Sequence, residues 1–269
     1  MIRFTKYHGC GNNFIIVRES DVDGMDYSQL ALDMCNVNTG IGADGFIVVR
    51  EDPALEMVFY NMDGSRAPMC GNGIRCFAAY CYDNDICRKE EYPVETLAGT
   101  MVVKIISTDP FMVRIDMGRP LFDPESFGVL DGSDEFTDRT MHTSEGDFRA
   151  SSCFMGTVHT VIWVDEYPSE TAASQLSNDP VFSEKTNVNF VRVIDSETLE
   201  IKTYERGVGF TCACGTGACA SLVIGRREGR NSEKVTVLLP YGKLLIEQLD
   251  DGTVMMTGPA IKIAEGIYN

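Results

Sequence analysis

The apolar positions of this 269-residue chain fall mostly in short runs or alternate with polar ones, the spacing expected of strands whose side chains point to opposite faces in turn. Such runs predict strands near 14–17, 46–49, 57–60, 102–106, 112–117, 158–164, 188–194, 199–204, 235–239, 244–247 and 254–256. Helical spacing, with apolar residues three and four apart, is clearest over 27–36, 71–82, 169–176 and 215–228. The chain therefore reads as a strand-rich α+β protein. Both halves run in a similar order: strands, a helix opened by a Cys-Gly-x-Gly motif, then further strands and turns. A duplicated pair of similar domains accounts for that layout. Residues 118–125, rich in turn formers and followed by the acidic stretch 131–138, mark the boundary region. We expect one domain over 1–116, rejoined by a final segment from about 258 to 269, and a second over 117–257.

Composition narrows the function classes. With 44% hydrophobic and 23% charged residues the chain is an ordinary globular protein rather than a disordered one. A net charge of −17 with no basic block argues against a nucleic-acid partner, because nothing is present to neutralise phosphates. No apolar run is long enough to span a membrane, and the segment beginning Met1-Ile2-Arg3 has no apolar signal core, so we expect a cytoplasmic protein. Ten cysteines in such a chain read as reduced thiols rather than a disulfide framework. No Cys-x-x-Cys pair occurs and the three histidines are scattered, so no structural metal site is expected.

Two cysteines stand apart. Cys70 heads Cys-Gly-Asn-Gly and Cys214 heads Cys-Gly-Thr-Gly, each at the start of a predicted helix. A thiol there lies near unpaired N–H groups and the positive end of the helix dipole, which favours the thiolate. The same N–H groups suit an anion such as a carboxylate. Two such sites suggest one proton acceptor and one proton donor, the equipment for inverting a carbon next to a carboxylate without a cofactor. In the first helix, apolar residues at 74, 77, 78 and 81 predict one buried face. The other eight cysteines read as small core residues. Gly40-Ile41-Gly42-Ala43-Asp44-Gly45 matches a dinucleotide fingerprint in letters only, since a helix precedes it and a strand follows; a tight helix-to-strand turn is the better reading. Glu205-Arg206, just upstream of Cys214, pairs an ammonium-binding carboxylate with a guanidinium fork suited to carboxylates.

These segments resemble the diaminopimelate epimerase family, pyridoxal-independent enzymes with a two-cysteine active site. The likeness is carried by 8–14, the 40–45 turn, 61–77, Thr186-Asn187-Val188, Glu205-Arg206-Gly207, 214–220 and 256–260. It implies two domains, each a curled, mostly antiparallel sheet around a central helix, with the active site in the cleft between them. It makes Cys70 and Cys214 the acid–base pair on an amino-acid substrate, with His159 and Glu205 close to the reacting centre. Asn12, Asn61, Gly71, Asn72, Thr157, Asn187, Glu205, Arg206, Gly215 and Thr216 would bind the substrate, and no cofactor is implied. A homodimer is implied by the resemblance alone.

The reacting end matches the family pattern, whereas the distal end departs from it. Gly156-Thr157-Val158-His159 stands where the family usually has Gly-Asn-Pro-His, and Asn13, Arg66, Pro68 and Phe210 also differ from the usual residues. Diaminopimelate is the expected substrate. The alternatives are a racemase of another amino acid, such as histidine, with a remodelled distal pocket, or a non-catalytic amino-acid-binding or thiol-redox protein. The missing Cys-x-x-Cys weighs against the redox role.

Overall fold

The computed structural model describes all residues from Met1 to Asn269. Its packing divides the chain into two compact units, Met1–Ile115 with Thr257–Asn269, and Asp116–Met256. The first holds β1 (Ile2–Gly9), β2 (Asn12–Arg18), α1 (Tyr27–Cys35), β3 (Gly45–Arg50), β4 (Glu56–Asn61), α2 (Gly71–Asp83), β5 (Glu91–Thr96), β6 (Gly99–Thr108) and β7 (Phe111–Asp116). The second holds β8 (Arg139–Thr143), β9 (Gly146–Phe154), β10 (Val158–Trp163), α3 (Glu170–Ser177), β11 (Asn187–Asp195), β12 (Thr198–Glu205), β13 (Gly209–Thr211), α4 (Gly215–Arg227), β14 (Lys234–Leu239) and β15 (Gly242–Gln248). β16 (Val254–Pro259) leads the chain back, and β17 (Ile261–Tyr268) belongs to the first unit. No helix is long and apolar enough to cross a membrane.

The two units repeat one pairing scheme. In the first, β1 is antiparallel to β17 and β2, β2 is parallel to β3, β3 antiparallel to β4, β4 parallel to β5, and β5 antiparallel to β6. In the second, β9 is antiparallel to β8 and β10, β10 is parallel to β11, β11 antiparallel to β12, β12 parallel to β14, and β14 antiparallel to β15. Parallel neighbours cannot be joined by a hairpin and need a crossover, for which a helix is the usual solution. The four helices are those crossovers: α1 joins β2 to β3, α2 joins β4 to β5, α3 joins β10 to β11, and α4 lies between β12 and β14. Antiparallel pairs outnumber parallel ones, so each sheet is mixed and mainly antiparallel.

The central helices differ from the single-faced pattern expected. Ten consecutive residues of α2, Asn72 to Cys81, are buried, and the helix packs on β1, β2, β3, β4, β6 and β17. In α4, Gly215 and every residue from Gly217 to Gly225 are buried, against β9, β10, β11, β14 and β15. A helix covered on all sides needs a sheet that curls around it, and small residues such as Gly73, Cys76, Ala78, Gly217, Ala218 and Ala220 let strands approach closely. Enclosure also traps a charge: Arg75 is fully buried, its guanidinium donating to the carbonyls of Gly71 (2.9 Å) and Pro259 (3.2 Å) and to Asn72 Oδ1 (2.8 Å).

Of the eight cysteines expected in the core, Cys10, Cys35, Cys76, Cys81, Cys153 and Cys219 are buried, but Cys87 is half-buried and Cys212 exposed. Both of these lie in loops outside the helices and strands, where no packed face claims them. Burial pushes the Cys35 and Cys153 thiols up to about 12. The 40–45 segment is a turn from α1 to β3, its Ile41 and Gly42 N–H groups donating to the Met34 carbonyl at 2.9 and 3.0 Å. A Cβ at Gly40 would lie 2.2 Å from the Asp33 carbonyl oxygen, so only glycine fits that fold-back. Removing the Arg75 side chain takes three hydrogen bonds from an enclosed interior and leaves a cavity. Arg75→Ala should cost about 3 kcal/mol or more of folding free energy, read as a lowered urea midpoint; an unchanged midpoint would show that the buried guanidinium contributes nothing.

Candidate active site

Cys70 and Cys214 are the N-cap residues of α2 and α4. Both have extended backbone (φ −137° and ψ 121°; φ −117° and ψ 106°), the conformation from which a chain turns into its first helical residue. The capping place usually taken by a hydroxyl or carboxylate is filled at Cys70 by a thiol, whose Sγ accepts the Gly73 N–H at 3.4 Å. Cys214 Sγ lies 3.5 Å from Thr216 Oγ1. In each case the first N–H groups of the helix have no partner within it, so Gly71 and Asn72, like Gly215 and Thr216, present donors beside a sulfur.

Around Cys70, the β1–β2 hairpin closes on the first turn of α2. A Cβ at Gly9 would lie 2.8 Å from Arg75 Nη2 and 3.4 Å from Asn72 Cβ, and Asn12 pairs with Gly9 across the hairpin. Asn12 Oδ1 is buried with no hydrogen-bond donor in the protein. A buried amide oxygen left in that state is costly. Asn13 is tied down instead, its N–H and side-chain amide both donating to Asp44 Oδ2 at 2.8 and 2.6 Å. Asn61, at the end of β4, donates to Ser65 Oγ at 3.0 Å within its own turn. The Asn72 side chain is engaged by Arg75 at 2.8 Å.

Around Cys214, three strand ends converge. The β9–β10 turn brings Gly156 to Thr216, a Cβ at Gly156 lying 3.6 Å from Thr216 Cγ2. Thr157, next in that turn, accepts from Arg206 Nη2 at 3.0 Å. Arg206 also donates through Nη1 to the Glu184 carbonyl (2.8 Å) and through its N–H to Asn187 Oδ1 (3.0 Å). The guanidinium is thereby oriented by neutral oxygens, with no carboxylate to cancel its charge. Glu205, at the end of β12, accepts from Thr211 Oγ1 at 2.6 Å. Burial pushes its carboxyl above the ordinary value, and the Thr211 hydrogen bond opposes that rise.

His159 is fully buried in β10. Burial pulls its imidazole down to about 3, and the charge of Arg206 acts in the same direction, so the ring is neutral at physiological pH. Its Nδ1 meets Asn189 Nδ2 at 3.2 Å, and its Nε2 has no partner. Asn189, Thr203 and Arg75 were absent from the candidate residues drawn from sequence. A polar residue in the apolar run of β11 was the one signal for Asn189; nothing local marked the other two.

The fold is shared with a hydroxyproline epimerase from Agrobacterium vitis (TM-score 0.69, 12% identity, 98% of this chain and 90% of that one). It is shared equally with a phenazine biosynthesis protein from Bacillus anthracis (TM-score 0.71, 13% identity, 100% and 99%). At such identities the likeness concerns architecture alone. The family model for diaminopimelate epimerase matches residues 4–122 and 152–263. Enzymes described as diaminopimelate epimerase from Caldanaerobacter subterraneus and Moorella thermoacetica are 38% and 40% identical to this chain, covering 98% and 99% of it and the same shares of their own length. The protein is an isomerase of the amino-acid epimerase class. The chain belongs to the diaminopimelate epimerase family.

The His159 environment has a measurable consequence. Between the unfolded value near 6.5 and the folded value of about 3, the unfolded chain binds a proton that the folded protein does not, so falling pH removes stability. Glu205, with a raised value, has the opposite sign and stays common to both proteins in a comparison of wild type with His159→Gln. Between pH 7.5 and 5.5 the wild type should lose about 1.4 kcal/mol more than the variant, measured by urea titration. Parallel losses would place the imidazole in water.

Proposed function

We propose that this protein interconverts LL- and meso-diaminopimelate in the supply of lysine and peptidoglycan precursors, working in the cytoplasm with Cys70 and Cys214 as paired proton-transfer groups and no cofactor. The observation that carries the reading is the equivalence of the two thiols. Each caps the enclosed crossover helix that follows the same step in the same pairing scheme. Family membership supports it independently.

One cysteine, as thiolate, removes the α-proton; the other, as thiol, delivers a proton to the opposite face. Charge moves from the α-carbon into the carboxylate, where N–H groups of Gly71, Asn72, Gly215 and Thr216 stabilise it because they are already oriented before the proton moves. Each sulfur sits at the positive end of a helix dipole, which favours the thiolate, so the pair can run in both directions by exchanging roles. Asn12 Oδ1 accepts from an ammonium group of the substrate, and Asn61 lines the same pocket. Arg206, aimed by Thr157, Glu184 and Asn187, takes the distal carboxylate through its planar fork. Glu205 receives the ammonium at the reacting centre, and neutral His159 adds a donor there.

One observation favours a second reading of the distal end. The Thr157 hydroxyl is occupied by Arg206, which removes one contact from the substrate and would suit a racemase for a different amino acid, such as histidine, using the same thiols. The retained Arg206 and Asn187 favour diaminopimelate. In D2O, the wild type should take up deuterium at the inverted α-carbon, and Cys70→Ala and Cys214→Ala should each slow inversion by about 1,000-fold. Either variant at full rate would overturn the two-thiol mechanism. In a panel of amino acids, preference for a substrate without a second carboxylate would remove diaminopimelate.

A further inference from the structure

Asn189 is a fully buried amide in the apolar strand β11, opposite Thr203 of β12 and Val161 of β10. Its orientation has one solution. Nδ2 donates to the Thr160 backbone carbonyl at 3.1 Å, a group that can only accept, and Oδ1 accepts from Thr203 Oγ1 at 3.0 Å. Rotating the amide would set oxygen against oxygen at Thr160. The group that meets His159 Nδ1 at 3.2 Å is therefore an N–H, Nδ1 must accept, and the proton of the neutral ring resides on Nε2. That Nε2–H is buried with no acceptor in the protein.

Asn189 also adjoins the thiol. A Cβ at Gly217 would lie 2.2 Å from Asn189 Oδ1 and 3.3 Å from Cys214 Sγ, so the missing side chain in the first turn of α4 is what lets amide and sulfur share that space. We propose that Asn189 is a positioning residue for the epimerisation, holding His159 as the Nε2–H tautomer so that a neutral N–H donor serves the anionic groups of the reacting centre. The chemistry requires this tautomer. Burial already keeps the ring neutral, and the Nδ1–H form would leave a lone pair at Nε2, which repels an anion where an Nε2–H attracts it. The inference rests on the two-thiol reading for its function, but the tautomer is measurable without turnover.

The full-length protein labelled with 15N-histidine has only three imidazoles to assign, and His159→Gln identifies one of them. The wild type should show His159 protonated at Nε2 and bare at Nδ1. Asn189→Asp replaces the donor by an acceptor and should move the proton to Nδ1, with kcat falling by at least about tenfold and KM near wild type. Asn189→Leu, which removes the amide donor without adding charge, should give mixed tautomers and an intermediate kcat, covering the case in which the aspartate variant fails to fold. A wild-type ring protonated at Nδ1 overturns the proposal. So does a shifted tautomer at full kcat, or a lost kcat with His159 still carrying Nε2–H. Absence of α-proton exchange by the wild type would instead overturn the two-thiol reading and leave the tautomer result standing.

Discussion

Each half of this protein is organised by the enclosure of one helix within its own sheet. A helix covered along its whole length satisfies its backbone internally except at its ends, and the first turn always leaves N–H groups over. In α2 and α4 those groups lie beside Cys70 and Cys214. The packing that stabilises the unit thus fixes the direction of the helix dipole, the aim of the first-turn N–H groups and the position of the sulfur together. Small residues in both helices are the condition for this arrangement, because a bulkier helix would hold the strands away.

Enclosure makes every polar group in the interior consequential. Arg75 is tolerated because three oxygens receive it, and His159 because Asn189 meets one of its nitrogens and burial keeps it uncharged. Two buried polar atoms of the candidate site, Asn12 Oδ1 and His159 Nε2, have no protein partner. Nearly all other buried polar atoms are paired, so these two support the ligand contacts proposed for Asn12 and His159. Arg206 follows the same logic at the edge of the second unit: backbone and side-chain oxygens orient it while its charge is left uncancelled, the state needed for recognising an anion.

The chain carried much of its fold openly. All four helices begin within one residue of the expected starts at 27, 71, 169 and 215, because their apolar spacing and capping residues are local. Every strand foreseen from an apolar run is present, whereas β1, β5, β8, β9, β13 and β17 were not foreseen. In β17 Ile263 is skipped opposite Lys6 and Tyr7 of β1, and Ile261, Ile263 and Ile267 are exposed, while two of the buried positions of β1 are Thr5 and Gly9, so neither shows a simple apolar inward pattern. The cysteine motifs were legible as helix starts for the same reason as the helices, whereas Asn189, the partner of His159, and the groups that orient it were not, since Thr160, Asn189 and Thr203 come from three strands.

By itself the sequence determined the α+β class, the helix starts, the two matched cysteine heads and the resemblance that names the family, since each depends on residues near one another along the chain. Tertiary structure alone decided that Arg75 and His159 are buried, that Cys212 is exposed, and that Thr157 meets Arg206. Those outcomes depend on which strands curl over which residues. Burial, amide orientation and tautomer are properties of a surrounding assembled from distant segments, and no short window of sequence contains them.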